Sequence, residues 1–503
     1  MHLHLLDIGI IAVYLAGITI FGWYFGREQK DIRDYFVGDR DVPWWAITFS
    51  IVATETSSAT FVSIPGIAFA GNMTFLQLVF GYMLGRVAIV LIFIPLYFRG
   101  DLLTAYQALD RRFGPRAKRS AAALFLITRS LSDGLRLLLT AIVLGELTGW
   151  SYSVSIIITG VATIIYTYFG GMKAVIWTDV SQLFIYILGA LVAGYILLDR
   201  IPGGWGEFVA VGQAANKFQV FYFTLDPSKA YTFWAGLIGG AFLTTSTHGT
   251  DQLMVQRYLC AKSARQAKAA LLASGAIILA QFVLFLMIGI GLYVFYTRFP
   301  SGSDFSRTDR VFPFFIINEL PSGVVGLVIA SIFAAAMSTL SSSLNSSAST
   351  SLADFYRPLL KPEASDEHYL KVSRRMTAFW GVVQIAVGIG GAGASESIVN
   401  QVLGIAAFTN GPILGIFLLA ALTRRVSEDG ALIGLALGII FMLGVQFALP
   451  RMTGLQIAWP WFVLIGSTVT FACGMAASLS RGAGRERSGG ARADQTHSSR
   501  GSK

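Results

Sequence analysis

The chain has 503 residues, of which 54% are hydrophobic and only 13% charged, with a formal net charge of +10. A soluble domain carries about 25% charged residues. Here apolar runs of about twenty residues, each long enough to cross a bilayer, recur from Leu5 to Ala477, so a soluble enzyme is excluded.

Hydropathy places thirteen spans near 5–25, 43–70, 74–98, 120–147, 151–169, 174–198, 232–256, 268–297, 322–352, 376–393, 398–422, 429–449 and 459–479. The first lacks a basic leader and carries Asp7, so it reads as a retained helix rather than a signal peptide. Taking the connections alternately, one side collects a roughly fourfold excess of Lys and Arg, the mark of a cytoplasmic face. The N-terminus is therefore expected outside a plasma (inner) membrane and the C-terminus in the cytoplasm. Basicity reports topology here, and no nucleic-acid partner is implied. Cys260 and Cys473 are too few for a disulfide framework. Residues 481–503, rich in Gly, Ser and Arg, read as a disordered basic cytoplasmic tail.

The informative spans are those too polar for lipid, because such groups must face protein or a water-filled cavity. The second holds Thr54, Glu55, Thr56, Ser57, Ser58 and Thr60, followed by Pro65-Gly66. Pro65 removes a backbone donor and disfavours helix at Ile64. Either the helix is broken and its freed carbonyls bind a cation, or it is kinked and its hydroxyls bond back to their own turn. Glu55 needs a partner or a cavity in both cases.

The fourth span sets Arg129, Asp133 and Arg136 on one helical face. They form a salt-bridge cluster, shared with Glu55 or Asp179, or one arginine grips a substrate carboxylate, which suits a planar guanidinium. The sixth span carries Asp179, a helix cap or a buried cation ligand. The seventh contains His248, Asp251 and Gln252, an interruption at Gly249, and Arg257 at its inner face. Two interrupted helices point to a transporter built from inverted repeats with a midplane site. In the ninth span, ten of the thirteen residues from Ser338 to Thr350 are Ser, Thr or Asn. They make a packing seam of small residues or an oxygen-rich cation site.

Several motifs resemble those of the sodium/solute symporters, a family that includes sodium/glucose cotransporters, proline permease, and iodide, vitamin and sialic acid transporters. They are the run Tyr166-Thr167-Tyr168-Phe169-Gly170-Gly171-Met172-Lys173-Ala174 with Trp177-Thr178-Asp179, the run Asp251-Gln252-Leu253-Met254-Val255-Gln256-Arg257, and the serine-rich ninth span. The resemblance covers about residues 35 to 420. It implies an all-α polytopic fold of about thirteen helices around a LeuT-type inverted-repeat core. On that plan 1–30 is a peripheral helix, 31–198 the first five-helix repeat, 199–422 the second, 423–480 two further peripheral helices, and 481–503 the tail.

The resemblance also implies a sodium site from the carbonyls of Ala53, Thr56 and Ala335 with the hydroxyls of Ser338 and Thr339. A second sodium site would draw on Asp179, Ser338, Ser341 and Ser342. The substrate contacts expected between spans 2, 4 and 7 are Glu55, Ser57, Thr60, Arg129, Arg136, Asp251 and Gln252. Sugar-carrying relatives have an acid on the third span and a lysine on the eighth. Here 74–98 has no Asp or Glu and 269–297 has no charge, which disfavours hexoses.

The function so implied is sodium-coupled import of a small organic solute, a carboxylate or zwitterion, by alternating access. Sodium is the coupling ion, with no organic cofactor and no obligatory protein partner. A cation channel lined by the ninth span, or a non-transporting sodium and ligand sensor, is the alternative. Enzymatic activity is not expected, since no nucleophile–base pair or metal cluster appears.

Overall fold

The computed structural model describes residues 3–25, 29, 31–302, 305, 307–391 and 398–497. Among these residues the chain is helical, with one isolated bridge, Val42 to Ala261, and no strand. Thirteen helical segments follow the thirteen expected spans. Seven of the helices are alone long and apolar enough to cross a membrane, and the bent pair in the second span makes eight. Of the others, span 4 carries charges of the site and span 7 is interrupted. The expected loop at 394–397 and the chain end at 498–503 lie outside the described residues.

The first helix, Leu5–Phe25, packs beside span 9, and its one acid is engaged there. Asp7 Oδ1 accepts from the Gly323 and Gly326 amides at 2.7 and 2.8 Å, at the start of helix Val324–Thr350. A carboxylate at a helix N-terminus satisfies orphan donors and complements the dipole. That contact explains an acid in an otherwise apolar first span.

The second span is broken, but not at its proline. Helix Trp44–Glu55 ends and helix Ser58–Ala70 begins across Thr56 and Ser57, both extended, with a 60° bend. Pro65 lies inside the second half. The break sits where side chains compete for the backbone. Thr56 Oγ1 donates to the Val52 carbonyl at 2.9 Å, and Ser57 Oγ caps the new helix through the Thr60 amide at 3.4 Å. At Gly66 a β-carbon would stand 2.3 Å from the Thr308 carbonyl, so only glycine lets that loop lie against the helix.

Spans 5 and 6 form one helix, Tyr152–Arg200, folded at Gly171, whose φ of 57° and ψ of −162° are open to glycine alone. Span 7 is divided as expected, into Gly240–Gly249 and Gln252–Leu259, with Asp251 capping the second piece. Spans 3, 4 and 8 are helices Leu76–Tyr97, Pro115–Thr148 and Ala264–Arg298. Span 9 is the buried axis: every residue from Val328 to Asp354 is buried, and it packs against spans 1, 4, 6 and 10.

The last helix runs Trp461–His497. It thus carries helix through 481–497, where composition leads to an expectation of disorder. Once a span has supplied the nucleus, each further residue adds a hydrogen bond without the nucleation cost.

Candidate functional site

The break in span 2 leaves carbonyls without helical partners, and span 9 brings hydroxyls to the same place. Thr339 Oγ1 lies 3.3 Å from the Thr54 carbonyl and 3.3 Å from the Ala335 carbonyl. Ser338, one residue earlier, donates to Asp179 Oδ1 at 2.7 Å. Ala53, Thr56, Ala335, Ser338 and Thr339 are all buried within this junction.

Asp179 is fully buried, and Arg257 is its counter-ion at 2.8 Å. Ser50 and Thr54 add hydroxyl donors to Asp179 Oδ2 at 2.6 and 3.2 Å. Arg257 also donates to Ser50 Oγ at 2.9 Å, to the Leu253 carbonyl at 2.5 Å, and to Thr54 and Ser342. Two expectations change here. Arg257 is 1% exposed and belongs to the core of the site, not to the membrane face. Ser341 points away from Asp179 and donates to the Ser338 carbonyl at 3.1 Å, while Ser342 reaches Thr54 and Arg257.

Beside this junction lies a cavity of about 150 Å³. Glu55, Ser57, Thr60, Arg129, Arg136 and Asp251 all line it, as expected for substrate contacts. Gln252 does not. Its amide donates to the Leu103 carbonyl at 3.0 Å and accepts from the Ala105 amide at 2.8 Å, holding the 99–114 loop. A residue adjacent to Asp251 on a helix points elsewhere, since neighbours lie about 100° apart.

The charges pair in a way the sequence did not show. Glu55 Oε2 is held by Arg86 of span 3 and by His248 Nε2 at 3.1 Å. Arg129 bridges to Asp251 across spans 4 and 7, and reaches Asp133 at 3.4 Å. Arg136 shares Asp133 at 3.2 Å and keeps 24% of its side chain exposed to the cavity. The span 4 cluster is therefore shared with Asp251, not with Glu55 or Asp179. Among the described residues four acids (Glu55, Asp133, Asp179, Asp251) meet four bases (Arg86, Arg129, Arg136, Arg257) around this centre. Arg86 was missed by sequence reasoning although it is the one charge of span 3. An intramembrane charge needs an opposite partner, and that signal was there to be read.

A family model, the sodium:solute symporter family, matches residues 35–438. The chain belongs to the sodium:solute symporter family. The sodium/sialic acid symporter SiaT of Proteus mirabilis (strain HI4320) is 30% identical over 466 residues, covering 89% of this chain and 91% of that one. The Homo sapiens sodium/iodide cotransporter is 28% identical over 456 residues, or 87% of this chain and 69% of that one. The solved substrate-bound, outward-open state of a Na+-coupled sialic acid symporter superposes with a TM-score of 0.85 at 29% identity, covering 94% and 98%. The sodium:solute symporter family consists of multi-pass membrane transporters whose coupling ion is sodium. The LeuT-type architecture expected from the motifs is thereby established for this chain.

Proposed function

We propose that this symporter imports a small carboxylate or zwitterion together with sodium, across a plasma (inner) membrane, with its N-terminus outside and its C-terminus in the cytoplasm. The observation that carries the reading is the cavity in which Arg136 is exposed beside the span 2 break. Sodium takes the oxygens of Ala53, Thr56, Ala335, Ser338 and Thr339. Hydroxyl and carbonyl oxygens suit a hard monovalent cation.

Charge balance favours a carboxylate. Acids and bases around the cavity already cancel, so a sodium ion leaves one positive charge that an anion neutralises. At about 10 Å and an effective dielectric constant of ~20, that attraction is ~1.7 kcal/mol. Linkage makes the effect mutual. Sodium is expected to tighten solute binding about 15-fold, and the solute to tighten sodium equally, by calorimetric titration in either order. Equal affinities with and without sodium would overturn the reading. The named ligands of the two relatives above, sialic acid and iodide, are both anions.

A cavity of ~150 Å³ holds a ligand about the size of benzene, whereas drug-sized ligands take about 300 Å³ or more. A short carboxylic or amino acid fits such a volume. The second sodium site also changes character, because Arg257 already supplies a cation to Asp179 and Ser342. One sodium per cycle is the stoichiometry proposed.

The test begins without a solute. Thermal stability of the purified chain is measured in NaCl and in choline chloride, for wild type and Ser338→Ala. Sodium at a hundred times its Kd stabilises by about 2.7 kcal/mol. A sodium-specific rise that Ser338→Ala loses is expected, and a rise that the variant keeps would remove Ser338 from the site. Short carboxylates and amino acids are then screened for solute-driven sodium uptake in liposomes, with hexoses as the contrary case. Uptake of a hexose and of no carboxylate would overturn the substrate class.

A further inference from the structure

Span 9 has a second polar face, opposite the one that meets Asp179. Ala336, Leu340, Ser343, Ser347, Thr350 and Asp354 recur at spacings of three and four, so they line up along one side. The upper members face span 4. Ala336, Thr339 and Leu340 line a small cavity of about 10 Å³ with Ser57, Asp133 and Thr140, which links the sodium junction to span 4. That volume accommodates about one water-sized particle.

Below it Ser343 Oγ accepts from Gln384 Nε2 at 2.9 Å, and the polar groups beyond it are only partly satisfied. Ser347 Oγ, Thr350 Oγ1 and Asp354 Oδ2 are buried without a hydrogen-bond partner among the described residues, as are Ser132 Oγ and Asp133 Oδ2 on span 4. Buried polar groups are nearly always satisfied by protein, water or an ion. Asp354 is fully buried, and its other oxygen accepts from Thr104 Oγ1 at 3.1 Å. Lys118, which acts on it electrostatically, is itself engaged by Asp110 at 2.6 Å. The helix widens into a π turn at Ser351–Tyr356, a distortion frequent at functional sites.

We propose that Asp354, with Thr350 Oγ1 and Thr104 Oγ1, forms a further sodium site on the exit side, reached from the midplane along the seam between spans 4 and 9. A buried carboxylate, two hydroxyls and no tight cationic partner is a donor set for a monovalent cation. Such a site gives the ion a place to go when it leaves Ser338 and Thr339, and it lies where the 99–114 loop closes over the end of span 9. Nothing in it depends on which solute is carried.

The experiment uses the full chain in inside-out membrane vesicles and sodium as the only ligand. Ser347→Cys places a thiol about two turns deeper than Asp354. Its modification by a small cationic methanethiosulfonate is followed by peptide mass spectrometry, which resolves it from Cys260 and Cys473. With sodium at about three times its Kd, labelling is expected about fourfold slower in NaCl than in choline chloride, since protection scales as one plus the ratio of ligand to Kd. Asp354→Asn is expected to abolish that protection and Ser338→Ala to leave it. Should Asp354→Asn fail to fold, Thr350→Val decides, by raising the sodium concentration for half-protection several-fold. Equal rates in the two salts, no labelling in either, protection that survives loss of Asp354 or Thr350 oxygens, or protection lost with Ser338→Ala would each overturn the site.

Discussion

Arg257→Gln is expected to be the most destabilising single substitution in the site. It leaves Asp179 fully buried with hydroxyl donors but no counter-ion. Removing one partner of a buried ion pair costs about 3–5 kcal/mol, because the survivor keeps its desolvation penalty. Removing both charges avoids that penalty, so Asp179→Asn combined with Arg257→Gln is expected to recover most of the loss. Thermal unfolding of the single and double variants in detergent is the measurement. Additive losses in the double variant would mean that the pair is not the source of the effect. The hydroxyls that surround the pair sharpen the contrast, since they can bond to an amide as well as to a carboxylate.

Arg136→Gln is expected to lose uptake by about 30-fold or more while keeping its stability. Truncating one partner of a desolvated charge contact costs about 2 kcal/mol at least. Asp133 does not become unpaired in this variant, because Arg129 still reaches it at 3.4 Å. Arg129→Gln is the contrasting case. It breaks the bridge from span 4 to Asp251 on span 7, so it is expected to lose stability and uptake together. Arg136→Lys is expected to recover little, as an ammonium cannot reproduce the planar fork that a carboxylate meets. Uptake within a few-fold of wild type in Arg136→Gln would remove that residue from the substrate contacts.

Much of this arrangement was legible in the chain because lipid punishes polar groups. Thr54 to Thr60 and the Ser338–Thr350 run stand out against apolar neighbours, and both proved to lie at the centre of the molecule. Asp179, Glu55 and Asp251 were conspicuous for the same reason. Their partners were not, because pairing joins helices far apart in sequence: Arg86 to Glu55 and Arg257 to Asp179 depend on tertiary packing that no period encodes. Pro65 is the loudest signal in span 2, yet the local hydrogen bonds of Thr56 and Ser57 decide where the helix ends. Gln252 was misread for a simpler reason. It shares a sequence neighbourhood with Asp251 but not a helix face, and its amide is spent on the 99–114 loop.

The four acids and four bases return to their places in each transport cycle, so what can drive the carrier is set by the charge that sodium and solute carry together. If one sodium enters with one carboxylate, no net charge crosses the membrane and the voltage contributes nothing to accumulation. The ion gradient alone then supplies about 1.4 kcal/mol per tenfold ratio. A zwitterion carried on the same machinery moves one positive charge, which gains about 2.3 kcal/mol more per 100 mV. On the proposed one-sodium cycle, transport would be electroneutral for one class of solute and electrogenic for the other, and a resting potential would concentrate amino acids far more steeply than simple carboxylates.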